Sequence, residues 1–256
     1  MRTYKLIHDQ KELENFIKFL PELNSNEGYF LILIARRKWY ESDIASATKL
    51  KRETVNKNKI IKTILQWEVM DGLYTSNDKP IHQNNLGVYI SYNPKDQYAA
   101  CFELINQCLD KIKNNRMDIN IKSLANDVIQ GCNGTKNFID IDVDIKENEN
   151  YLDIVKFIKS VPLEIAFPPP IAEVSVIDEK YLTFIKTNGG FHCLIRLLDN
   201  SNNLISPDYG NKWYQTLKNH PFKSELNIMS NDLMPLPGCN QGQFVPYTFY
   251  PFVQEF

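Results

Sequence analysis

The chain has 256 residues, 43% hydrophobic and 23% charged, and a net charge of −2. With 14 Phe, 13 Tyr and 3 Trp, this composition excludes extensive disorder and supplies core material for one large or two small domains. The near-neutral balance excludes polyanion binding by bulk charge alone.

The N-terminus "MRTYKLIHDQKELENF" has no apolar signal core, and the longest apolar run, "YFLILIA", is too short to span a bilayer. Five cysteines, at 101, 108, 132, 193 and 239, include no C-x-x-C pair. A zinc cluster and a disulfide framework are therefore not expected, and a reducing cytoplasm is.

In chain order, "DQKELENFIKFL" (9–20) predicts a helix capped by Asp9 and stopped before Pro21. "GYFLILIAR" (28–36) is a buried strand or the start of a buried helix, since a short apolar run fits both. Residues 41–76 predict two helices with polar breaks, without the turn signature of a helix-turn-helix. Between Arg36 and Lys62 nine Lys/Arg stand against three acids, a footprint for nucleic acid or a solvated face. A polar stretch at 75–85 divides this mainly helical N-terminal region (1–85) from a body at 86–256. There "LGVYISYNP" predicts a strand, 95–115 an amphipathic helix, "DINIKSLANDVIQGC" another helix and "NFIDIDVDI" a strand. A helix over 151–161, two apolar segments around the glycines of 181–199, a short helix in "KWYQTLKNH" and terminal extended pieces follow. The order is a mixed α/β (α+β) pattern.

Asp140, Asp142 and Asp144 alternate with apolar residues, so on a strand they form one row of carboxylates. Like charges on one face are destabilising. Two neighbours plus a third acid could hold a pair of hard divalent cations; a solvated sheet face is the other reading. His192 follows Gly189 and Gly190, which let the backbone approach a ligand closely. It is either a phosphate-binding group or a structural histidine. Asp232 could supply the third carboxylate or simply form a turn with Asn231.

Taken together, the "FIDIDVD" strand, the "TNGGFH" strand about fifty residues later and the "PLPGCNQGQF" loop resemble the archaeo-eukaryotic primase superfamily. Within it the resemblance is to primase–polymerases of bacteriophages and other mobile elements. The Asp-x-Asp motif falls on Asp140 and Asp142, with Asp142 and Asp144 as the alternative register. The small-residue-x-His motif falls on Gly190, Phe191 and His192, and the single later acid on Asp232. "VYISYNPKD" is similar to the strand that opens the family's core. No GxxxxGK[ST] phosphate loop and no zinc-binding cysteine cluster accompany these motifs.

The resemblance implies a catalytic core over 86–256 with an RRM-like mixed or antiparallel sheet. It also implies DNA-dependent primase and polymerase activity, nucleotidyl transfer from NTP or dNTP on a single-stranded DNA template. Two Mg²⁺ or Mn²⁺ ions would be held by Asp140, Asp142 and Asp232. His192, Lys186, Arg196, Gly190 and Gln241 would bind nucleotide. Arg36, Arg37, Lys38, Lys51 and Arg52 would contact template phosphates, with Trp39, Tyr40 or Trp67 stacking on bases or filling the core. The implied setting is replication of a phage or mobile element in a bacterial cytoplasm, with a separate replicative helicase as partner. Two other readings stand beside it: a catalytically weak replication-initiation or single-strand-binding protein on the same fold, and a metal-dependent nuclease using the aspartate row.

Overall fold

The computed structural model describes residues 2–40, 44, 46–114, 116, 119–144, 156, 162–166, 172–176, 182–197, 226–228 and 233–249. Its helices are α1 (Gln10–Phe19), α2 (Ile60–Trp67), α3 (Gln97–Lys113) and α4 (Ile121–Gly131). Its strands begin with β1 (Glu27–Arg36), β2 (Ala47–Val55), β3 (Thr75–Ser76), β4 (Lys79–Pro80), β5 (Leu86–Ser91) and β6 (Lys95–Asp96). They continue with β7 (Phe138–Asp144), β8 (Pro162–Ala166), β9 (Ala172–Val176), β10 (Leu182–Lys186), β11 (Gly190–Arg196), β12 (Leu226–Ile228), β13 (Leu233–Pro235) and β14 (Tyr247–Phe249). The fold is mixed α+β, and every paired strand is antiparallel. No described helix is long and apolar enough to cross a membrane.

Two compact units form. The first comprises 1–136 and 233–243, the second 137–232 and 244–256.

In the first unit the sheet order is β13-β5-β1-β2, with β6 also pairing β1. The ambiguous run 28–36 is a strand, buried on both faces except at Arg36. Phe30, Ile32 and Ile34 share a cluster with Tyr89, with Ala100 of α3 and with Val128 and Ile129 of α4. Each of three helices starts where a side chain takes up free backbone N–H groups. Asp9 accepts from Glu12 N at 2.9 Å, Asp96 from Tyr98 N and Ala99 N, and Asn120 from Ser123 N at 3.0 Å.

The mainly helical N-terminal region expected from the sequence does not form. The helix at 9–20 forms as α1, but of the described residues in 41–76, expected to be two helices, 47–55 forms β2 and only 60–67 is α-helical. Exposure alternates along β2 with period two, the pattern of an edge strand rather than a helix. Pairing with β2 also satisfies the outer backbone edge of β1, which would otherwise be unpaired. A one-residue irregularity between Leu33 and Ile34 falls opposite Lys51 and Lys49.

The Pro-rich loop after β13 belongs to this unit. Gly238 has φ +80, and a Cβ there would lie 2.7 Å from Leu13 N and against Asp9 O, so only glycine fits under the start of α1. Asn240 donates to Leu86 O at 3.0 Å, tying the loop to β5.

In the second unit the sheet order is β12-β7-β11-β10-β14, and β8 and β9 form a separate hairpin. One face is apolar. Ile139, Ile141 and Val143 of β7 stand opposite Ile195, Cys193 and Phe191 of β11. Phe184, Phe191 and Phe249 form an aromatic cluster with centroids 5.7–6.1 Å apart. The helices predicted at 151–161 and in "KWYQTLKNH" lie outside the described residues.

Candidate functional site

The other face of the second sheet carries the aspartates. Antiparallel register sets Gly190 opposite Asp144, His192 opposite Asp142, Leu194 opposite Asp140 and Arg196 opposite Phe138. Opposed residues share a face, so the histidine stands among the carboxylates. The histidine's strand is held by a tight hairpin, in which Thr187 N donates to Gly190 O at 3.0 Å.

Burial deepens along the row. Asp144 is exposed, the Asp142 side chain is 20% exposed and that of Asp140 is fully buried. His192 is buried between the inner two. Its Nδ1 lies 2.8 Å from Asp140 Oδ2, and its Nε2 lies 3.7 Å from Asp142 Oδ1. The first is a short charge-assisted hydrogen bond; the second is a longer electrostatic contact. Burial by itself lowers the His192 pKa, but the Asp140 charge and hydrogen bond, with Asp142 and Asp144 behind them, outweigh it and raise the pKa above 6.5. The imidazole is therefore biased towards its cationic form, which relieves the repulsion in the row.

Asp140 Oδ1 is buried and has no hydrogen-bond partner among the described residues. Such an orphaned carboxylate oxygen is costly. Beside the row, a Cβ on Gly189 would come 3.5 Å from Asp144 Oδ1, so the Asp144 carboxylate lies against the hairpin turn. Gly190 places no side chain opposite it.

No family model, curated protein or solved structure matches the chain. The site rests on its own geometry.

Of the residues singled out from the sequence, Asp140, Asp142 and His192 come together, with Asp144 and Gly190 at one end. Arg196 shares the face by register, and its Nε is buried without a partner among the described residues. Lys186 stands opposite Phe191 and Tyr247, on the face away from His192. Asp232 lies outside the described residues. Gln241 belongs to the first unit, where it is buried and its Nε2 lies 3.4 Å from the Tyr89 hydroxyl.

The basic segment also lies in the first unit. The Arg36 guanidinium sits over Trp39 and Tyr89, at 5.5 and 5.4 Å from the ring centroids, a cation–π contact with two stacked rings. Arg52 is paired with Asp127 of α4. Arg37, Lys38 and Lys51 are exposed, as is Tyr40, which stacks on His82; Trp67 is buried.

Sequence reasoning missed the direct Asp140–His192 bond and further positions on the same face, where Asn227 stands opposite Asp142 and Thr183 opposite Leu194. Ile185 stands opposite His192, and Thr248 opposite Ile185. No local signal marks these positions, because only the order of the strands brings them into line with the histidine.

Among the described residues no three His, Cys, Asp or Glu side chains cluster as a metal site. A hard divalent cation, however, commonly uses one or two protein carboxylates and completes its shell with water and substrate phosphates. The orphaned Oδ1 of Asp140 and the partly exposed Asp142 fit that donor set.

Proposed function

We propose that the chain is a primase–polymerase that transfers nucleotides from NTP or dNTP onto a growing strand copied from single-stranded DNA. One observation carries this reading: the β7–β11 register, which gathers an Asp-x-Asp pair and the histidine of a Gly-x-His segment on one sheet face. The motif order and spacing resemble the archaeo-eukaryotic primases, and the shared face of Asp140, Asp142 and His192 supports a division of tasks that suits the chemistry.

Asp140, through Oδ1, and Asp142 would hold Mg²⁺ or Mn²⁺, with Asp232 as the proposed third acid. The chemistry that such ions supply when bound is activation of a 3′-hydroxyl and charge stabilisation on departing pyrophosphate. Asp140 Oδ2 fixes the His192 ring through Nδ1 and favours its charged form, as a carboxylate beside an imidazole does. His192 Nε2, on the Asp142 side, is then a donor for a triphosphate oxygen. Arg196, four residues along the same face, would add a second positive charge. Gly190 leaves the face clear beside Asp144. Phe191, Cys193 and Ile195 anchor the strand from beneath.

The test is incorporation of labelled nucleotide on unprimed circular single-stranded DNA with Mg²⁺ or Mn²⁺ and each nucleotide class. Asp142→Asn should lower incorporation by about two orders of magnitude or more while leaving the circular dichroism spectrum unchanged. Normal polymerisation by this variant would remove Asp142 from the metal site.

The Asp140–His192 ion pair favours a second reading, since it partly neutralises the row without any metal. In that case the chain binds single-stranded DNA in a salt-sensitive way and incorporates nothing. Degradation of DNA with Mg²⁺ and no nucleotide would instead point to a nuclease.

A further inference from the structure

Helix α3 has two apolar sides. Ala100 is buried and Leu104 packs on the core cluster of the first unit. On the opposite side Tyr98, Phe102, Ile105, Leu109 and Ile112 are each between 49% and 70% exposed. Their spacing alternates four and three residues without a break. At about 100° per residue they fall within an arc of roughly 80°, the narrow seam of a helix that packs on another helix. A stripe of five large apolar side chains in water marks an interaction surface.

We propose that this seam pairs with α3 of a second copy of the chain, antiparallel about a twofold axis at Ile105. The pattern is close to palindromic about that residue. Reversing the helix sets Tyr98 against Ile112 of the second copy and Phe102 against Leu109, as a self-complementary twofold contact requires. Charge selects the same direction. Asp96 caps the N-terminus, while Lys111 and Lys113 occupy the last turn. Antiparallel packing opposes the two macrodipoles and sets the end of one helix that carries the acidic cap level with the end of the other that carries the lysines, whereas parallel packing sets like ends level. Cys101 and Cys108 flank the same edge of the seam, so reversal also places Cys101 beside Cys108 of the second copy. Both thiols are free, Cys101 exposed and Cys108 half-buried. A contact of one helix from each copy is small for a stable dimer, which sets the affinity on the order of micromolar.

The experiment is sedimentation velocity of the full chain over a concentration series, with a short bismaleimide cross-linker applied in a Cys132→Ser background. A concentration-dependent dimer is expected, and either Cys101→Ser or Cys108→Ser should abolish cross-linking. Phe102→Glu with Ile105→Glu should give a monomer with unchanged circular dichroism, because both side chains are exposed in the isolated chain. A wild-type chain that stays monomeric at every concentration overturns the proposal and assigns the seam to another occupant. So does a dimer that survives the double substitution, or cross-linking that persists in both single-cysteine variants, as parallel pairing would give.

Discussion

Each unit buries a carboxylate in its main sheet, and the two are treated differently. Glu27 opens β1, and both of its oxygens accept backbone N–H groups, Oε2 from Asn24 at 3.1 Å and Oε1 from Thr135 at 2.5 Å. Asp140 lies within β7, with one oxygen on His192 and the other without a donor among the described residues. A buried charge with both oxygens engaged is a structural device: it pins loops to a strand. A buried charge left half satisfied keeps capacity for something else. The contrast extends to the strands. Between Tyr29 and Ala35 β1 is apolar on both faces, whereas β7 is apolar on one and carries three acids on the other.

The strongest way to break this comparison is to make the second sheet resemble the first. Asp140→Val with His192→Phe replaces the ion pair by apolar groups. Incorporation should fall by about a thousandfold or more, while stability to urea stays level or rises by about 1–4 kcal/mol. A large loss of stability would mean that the pair is structural, like Glu27. Next in size is Glu27→Gln, which turns an amide donor towards a backbone donor and should cost about 1–3 kcal/mol. Denaturant titration measures that cost, and incorporation per folded molecule should not change.

The smallest effect concerns pH. The His192 pKa is raised in the folded protein, where Asp140, Asp142 and Asp144 surround it. Its proton therefore stabilises the fold fully below the ordinary value of 6.5, and this contribution is lost as pH rises through the folded value. With chelator present, the melting temperature should decline as pH rises above that ordinary value. His192→Asn should flatten the decline; an unchanged slope would place the titrating group elsewhere.

Several elements were legible locally. The cap at Asp9, the stop before Pro21 and the alternation of "FIDIDVD" depend on neighbours in sequence, and they appear as expected. The segment 47–55 was not legible in this way. Its lysines and threonines tolerate helix or strand, and the choice is made by the unpaired edge of β1, supplied from twenty residues away. The long helix at 97–113 was legible as amphipathic, but not which apolar side would face the core.

By itself, then, the sequence determined that one strand face would carry aspartates and that a glycine-flanked histidine would follow on another strand. Both are matters of period-two alternation and backbone permissiveness. Only the tertiary structure decided that His192 lies opposite Asp142 and bonds Asp140, and that Lys186 faces away. Strand order and register are set by which apolar faces meet across the sheet, and a shift of one residue would reverse every side chain on β11.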